Sequence, residues 1–144
     1  MGKRTKPQIG KRIFAGLFDY LIIYSFLFIF VYFFGETTAE GEKQVTGLPM
    51  LIPIIFWGLM TIGAEQLFGR TLGNYAVDLQ PFSIENMNKK LTFGQSFKRH
   101  LLDPIDMFFF GLVGILLIKN TENNQRLGDV WAKTIVINTK GQKV

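Results

Sequence analysis

The chain has 144 residues, 48% of them hydrophobic, with 15 Phe, one His, no Cys and a formal net charge of +5 from 16 Lys and Arg against 11 Asp and Glu. The lack of cysteine excludes disulfides, thiolate nucleophiles and sulfur-ligated zinc, and a single His100 argues against a histidine metal site. The apolar residues fall in unbroken blocks, where a soluble helix would show a stripe repeating every three to four residues. That pattern argues for one compact membrane domain and against an ordinary soluble one.

The first twelve residues hold Lys3, Arg4, Lys6, Lys11 and Arg12 and no acid. Directly before an apolar run, this segment (1–12) reads as the positive-inside signal of a cytoplasmic N-terminus, with attraction to anionic lipid headgroups as a second effect. No recognised nucleic-acid motif accompanies the charge, so nucleic acid is not an expected partner. Residues 13–34, IFAGLFDYLIIYSFLFIFVYFF, form a 22-residue run. At about 1.5 Å per residue they reach about 33 Å, enough for the ~30 Å hydrocarbon layer. The run is longer than a signal-peptide core, and no small-residue cleavage site follows it. Its one charged side chain is Asp19, seven residues after Arg12 and therefore on the same helix face. A charge inside a span costs at least ~2.5 kcal/mol unless paired or hydrated, which makes Asp19 the main clue to function.

Residues 35–47, GETTAEGEKQVTG, are short, acidic and expected to be a flexible loop outside. A second span follows at 48–68, with Pro49 and Pro53 in its first turns, where missing amide donors cost least, and Glu65 one turn from its end. Trp57 lies at mid-span and reads as a packing residue. The basic stretch 69–99 returns the chain to the cytoplasmic side. Within it YAVDLQPF and KKLTF flank the turn-rich SIENMN and predict a hairpin, which the β-branched KTIVIN (133–138) would join.

Between these strands lies a third apolar helical segment, about 97–118, whose uninterrupted apolar run covers only Met107 to Ile118. That is short for a crossing, and Pro104 would break the helix between Asp103 and Asp106. A segment that enters and returns on the cytoplasmic side is expected, with a third crossing from near Phe97 as the alternative. The expected fold is an all-α membrane protein with two transmembrane helices, a third re-entrant or spanning helical segment, and a small cytoplasmic β-hairpin or strand element. Residues 13–138 make the membrane domain and 139–144 a tail.

The ionisable groups in or near the membrane are Arg12, Asp19, Glu65, Asp103, Asp106, Arg126 and Asp129, all in the cytoplasmic half on this topology. All seven are candidates for an ion- or ligand-binding cluster. Blander readings stand beside that one. Arg12 and Asp19 would form a structural ion pair at the interface, Asp129 would be the N-cap of one short turn, and Glu65, Asp103 and His100 would be solvated or headgroup-facing. Gly111 and Gly114 permit close helix approach.

Four segments together carry a family resemblance: RIFAGLFD (12–19), FGRTLGN (68–74), FGQSFKRHLLDPID (93–106) and RLGDVWAKTIVI (126–137). From Lys11 to Asn138 the chain resembles the RDD family of membrane proteins, named for one arginine and two aspartates. The resemblance implies that Arg12, Asp19 and Asp129 are those residues, and Asp106 matches a further family aspartate. Where the family commonly has G-x-T-x-G-K, this chain has GRTLGN, with Asn74 in the lysine position. The resemblance also implies a role in transport, some members being linked to sodium or proton exchange.

Two functions are therefore expected. One is a small ion or solute transporter, or a subunit of one, in the cell inner membrane; its carboxylates would exchange a proton for Na⁺, and it would act as a homo-oligomer or with partner membrane proteins. The alternative is a noncatalytic scaffold that recruits partners. An intramembrane aspartyl protease is disfavoured, since RLGD stands where such enzymes carry G-x-G-D, and no nucleotide loop, nucleophile triad or cofactor motif is present, so no enzyme activity and no cofactor are expected.

Overall fold

The computed structural model describes residues 6–140; Lys3 and Arg4 of the basic segment and the last four residues of the tail lie outside it. The first helix, α1, runs Ile9–Phe34 and so includes Lys11 and Arg12, which the sequence placed before it. Residues expected to form a flexible loop instead carry a small antiparallel pair, β1 (Glu36–Thr37) with β2 (Lys43–Gln44).

The second long helical segment, Leu48–Phe68, is continuous but not uniform. A 3₁₀ turn at Leu48–Met50 leads into α2 (Leu51–Gly58), a π-helical stretch at Leu59–Gly63, and α3 (Ala64–Phe68). In the widened stretch the Thr61 hydroxyl donates back to the Trp57 carbonyl at 2.7 Å. Gly69, at φ 79°, ends α3 in the left-handed conformation that favours glycine, its N–H on the Glu65 carbonyl at 2.9 Å. These two segments are long and apolar enough to cross a membrane.

A short helix α4 (Leu72–Ala76) precedes β3 (Leu79–Ser83), which pairs antiparallel with β4 (Thr134–Asn138), from Leu79 opposite Asn138 to Ser83 opposite Thr134. The expected hairpin with KKLTF is thus corrected: the partner of the first strand is the last strand of the chain. KKLTF is committed to starting α5 (Phe93–Leu101), for which Thr92 is the N-cap. Its hydroxyl accepts from the Gln95 N–H at 3.3 Å while Gln95 Oε1 accepts from the Thr92 N–H at 3.1 Å, a reciprocal capping box that a strand would forfeit. Gln95 Nε2 also donates to Ser83 Oγ at 3.0 Å and the Ala132 carbonyl at 3.2 Å, tying helix to sheet.

The third segment extends beyond its expected limits, as α5, α6 (Asp103–Asp106) and α7 (Phe108–Asn120). Leu102 separates α5 from α6 just before Pro104, and a sharper bend of 115° separates Phe93–Asp106 from Gly111–Asn120, with Gly111 at φ 84°. Helix α8 (Leu127–Ala132) then leads into β4.

The interior inverts a soluble core. Arg99, Glu65, Asp103, Asp129, Thr61 and Thr71 are among the fully buried side chains, while Leu21, Phe28, Ile29, Phe33, Leu59 and Leu67 are exposed. Polar inside and apolar outside is the arrangement hydrocarbon surroundings favour.

Candidate functional site

Two glycines let the helices meet. A Cβ on Gly73 would lie 2.1 Å from the Ala15 carbonyl oxygen and 2.8 Å from Asp19 Oδ2, so only glycine allows α4 to lie against α1. At this contact the Gly73 N–H donates to Asp19 Oδ1 at 2.7 Å, and the Thr71 hydroxyl is a second partner of the same carboxylate. The GRTLGN segment is therefore built around Asp19: Thr71 caps α4 by accepting the Asn74 N–H at 3.3 Å, and Gly73 brings its amide to the acid. Gly128 plays the same part between α8 and α5, since a Cβ there would lie 2.4 Å from the Arg99 carbonyl oxygen.

Arg12 does not pair with Asp19, which corrects the expected ion pair. Its Nη1 lies 3.2 Å from Asp129 Oδ2, and its Nη2 donates to the Val136 carbonyl at 3.5 Å. Both side chains share one face of α1 as expected, but nearly two turns separate them, and each takes a partner that another element brings to its own level. Asp129 also contacts Arg99 Nη1 directly and Arg126 Nε at 3.7 Å, so one carboxylate faces three arginines. It is not the N-cap of α8; that position is Arg126, whose backbone N–H donates to Asp129 Oδ2 at 3.3 Å.

Glu65, Asp103 and His100, expected to be solvated, are buried at 0%, 2% and 4% exposure, because each is needed inside the charge network. Glu65 Oε1 lies 3.3 Å from Arg99 Nε and 3.1 Å from His100 Nε2. The other imidazole nitrogen lies 2.8 Å from Asp103 Oδ2. With a carboxylate oxygen at each ring nitrogen, the imidazolium is the form that can donate to both. Asp103 also meets Arg126 Nη1 at 2.6 Å and accepts from the Tyr20 hydroxyl at 2.9 Å, which in turn accepts from the Trp57 indole at 3.3 Å. Trp57 therefore reaches the network as well as packing. Asp106 accepts the Leu127 and Gly128 amides at 2.9 and 3.1 Å, at the start of α8, with Arg126 Nε at 4.0 Å.

The polar chain thus runs from Trp57 through Tyr20, Asp103, His100, Glu65, Arg99 and Asp129 to Arg12, linking α1, α2, α3, α5, α6 and α8. Burial by itself disfavours the charged form of Asp129, but Arg99, Arg126 and Arg12 outweigh it and hold its carboxyl below the usual carboxylate range. Arg126 is shifted the other way: burial opposes its charge, and Asp103, Asp129 and Asp106 more than offset that. Arg99, the most central cation, was not among the candidates because FKRHLL looks like part of a basic surface. The signal for it was an arginine two residues after Phe97, on the opposite side of the helix, and four ahead of Asp103.

Among the described residues no three His, Cys, Asp or Glu side chains converge as metal ligands. Of the expected cluster, Arg12 and Asp129 are in direct contact and Asp106 joins them through Arg126, whereas Asp19 stands apart on Gly73 and Thr71. No curated protein and no solved structure matches the chain. The RDD family model matches residues 6–133, which take in Arg12, Asp19, the glycine contact at Gly73, and Asp129; the chain belongs to the RDD family.

Proposed function

We propose that this RDD-family protein serves ion transport of the Na⁺/H⁺ exchange type, with Asp19 as the exchanging carboxylate. One difference carries the reading. Glu65, Asp103, Asp106 and Asp129 each face an arginine within 4.0 Å, while Asp19 is held by the Gly73 amide at 2.7 Å and the Thr71 hydroxyl. A carboxylate clamped by guanidinium stays ionised and occupied. One held by neutral donors is free to take up a proton, or to release it and coordinate a hard cation through oxygen. The remaining network fixes the helices around it. Two spans and a bent segment are too little to enclose a pathway, so the proposal includes a homo-oligomer or partner membrane proteins in the inner membrane, with the N-terminus cytoplasmic and its basic flank on anionic headgroups.

The test is ion flux in proteoliposomes under Na⁺ and pH gradients, comparing the parent with Asp19→Asn. Flux in the parent and none in a folded Asp19→Asn supports the assignment. Absence of flux in both, with correct insertion, rules out self-sufficient exchange. The second reading, a noncatalytic scaffold, then leads; it is favoured by the way the ion pairs lock five helices together, and it expects Asp19→Asn to harm assembly without an ion-specific effect.

A further inference from the structure

Helix α5 is amphipathic in the reverse sense of a helix at a protein surface. Phe93, Phe97, Leu101 and, across the short break, Ile105 repeat every four residues and are 65%, 40%, 46% and 48% exposed. The opposite face carries Ser96, Arg99, His100 and Asp103, exposed at 0%, 1%, 4% and 2% and turned into the ion-pair network. In a helix resting on a soluble protein the apolar stripe would be the buried one. Val130 and Trp131 of α8 add to the outward apolar surface, at 45% and 47% exposure, and the Lys98 ammonium lies 5.5 Å from the Trp131 ring centre.

From this inversion we propose that α5 and α8 lie in the leaflet on the N-terminal side, their Phe93–Phe97–Leu101–Ile105 stripe and Trp131 in contact with phospholipid acyl chains. Two observations identify that occupant. Helix α5 packs against α3, and the stripe is exposed as Leu67 and Phe68 are, at the end of the second candidate span, where exposed hydrophobics are already expected to meet lipid. Exposed Lys89, Lys90 and Lys98 flank it, the arrangement of snorkelling cations and interfacial Trp at an anionic headgroup layer. The consequence is that the Glu65–Arg99–Asp129 pairs are shut off from water on this side by acyl chains, so charged species reach the network by another route.

Because the chain has no cysteine, single-cysteine spin labelling applies directly. Phe97→Cys, Leu101→Cys and Lys89→Cys are labelled in the full-length protein, reconstituted in phosphatidylethanolamine/phosphatidylglycerol bilayers, and compared for relaxation by oxygen and by a water-soluble nickel chelate. The expected result is that oxygen dominates at positions 97 and 101 and the nickel reagent at 89. Nickel access at 97 and 101 places the stripe in water and overturns the proposal. Protection from both reagents means that a second copy or another protein covers it, which also overturns it. To guard against a labelled variant that fails to fold, Trp131 fluorescence is followed in Trp57→Phe protein with lipids brominated along the acyl chain. Quenching supports the assignment, and emission unchanged from that in unbrominated lipid overturns it.

Discussion

Arg12 and Asp129 are 117 positions apart in the chain and in ionic contact at 3.2 Å, so this part-buried pair fastens the first helix to α8. The two are not equally indispensable. Asp129 is shared by Arg12, Arg99 and Arg126, whereas Arg12 has Asp129 and the Val136 carbonyl. Asp129→Asn leaves three guanidinium groups short of one charge and is expected to cost about 3–5 kcal/mol, the range for breaking a buried pair from one side. Arg12→Met leaves Asp129 with two arginines and is expected to cost distinctly less. Thermal unfolding of the purified variants in one detergent checks the order, and an Arg12→Met protein less stable than Asp129→Asn contradicts it.

The contact between Gly73 and α1 gives a second prediction. A methyl there meets backbone oxygen at 2.1 Å, which neither helix can relieve without moving apart. Gly73→Ala is expected to lose about 1–3 kcal/mol or more through overpacking and to separate Asp19 from its amide donor. Gly16→Ala on α1, with nothing within 4 Å of the added carbon, is expected to be neutral or slightly stabilising, which isolates the steric cause. Equal unfolding temperatures for the two variants would contradict the packing account.

The two long apolar helices were legible because a run of this length has few alternatives to a span, and β4 was legible from its β-branched residues. The candidates Arg12, Asp19, Asp106 and Asp129 were legible as charges in costly places in or beside apolar runs. Their pairing was not. Helical spacing says which residues of α1 share a face, but whether Arg12 meets Asp19 or Asp129 depends on where a helix over a hundred residues later is docked, with Gly128 against α5, while Gly73 gives Asp19 a different partner. The hairpin reading failed for a related reason: KKLTF has strand-like residues, and the Thr92–Gln95 box outweighed them. The depth of Glu65, Asp103 and His100 was hidden because each is costly inside alone and acceptable only in the company of the others.

The carboxyl of Asp129 sets an acid limit on stability. Its folded value lies below the ordinary one, so the unfolded chain takes up the proton first as the pH falls. The stabilisation is therefore fully present at neutral pH, begins to fall as the unfolded carboxylate range is entered, and is lost once the pH passes below the folded value. Asp129→Asn lacks this contribution at every pH. Unfolding temperatures measured from neutral to acidic pH are expected to fall less steeply for Asp129→Asn than for the parent. Parallel curves would show that Asp129 is not the linked group.

Tyr20 joins the second candidate span to the charge network, donating to Asp103 at 2.9 Å and accepting from the Trp57 indole at 3.3 Å. Tyr20→Phe keeps the ring and removes both bonds, leaving the part-buried indole N–H and Asp103 each short of a partner, at a cost of about 1–3 kcal/mol. In a Trp57→Phe background that orphaned donor is already gone, so the same change is expected to cost less. A double-mutant cycle of unfolding free energies in detergent should return a coupling of about 0.5–3 kcal/mol, the range for residues in one hydrogen-bonded network. Additivity of the two substitutions would show that the hydroxyl and the indole act independently, and that the network ends at Tyr20 without reaching α2.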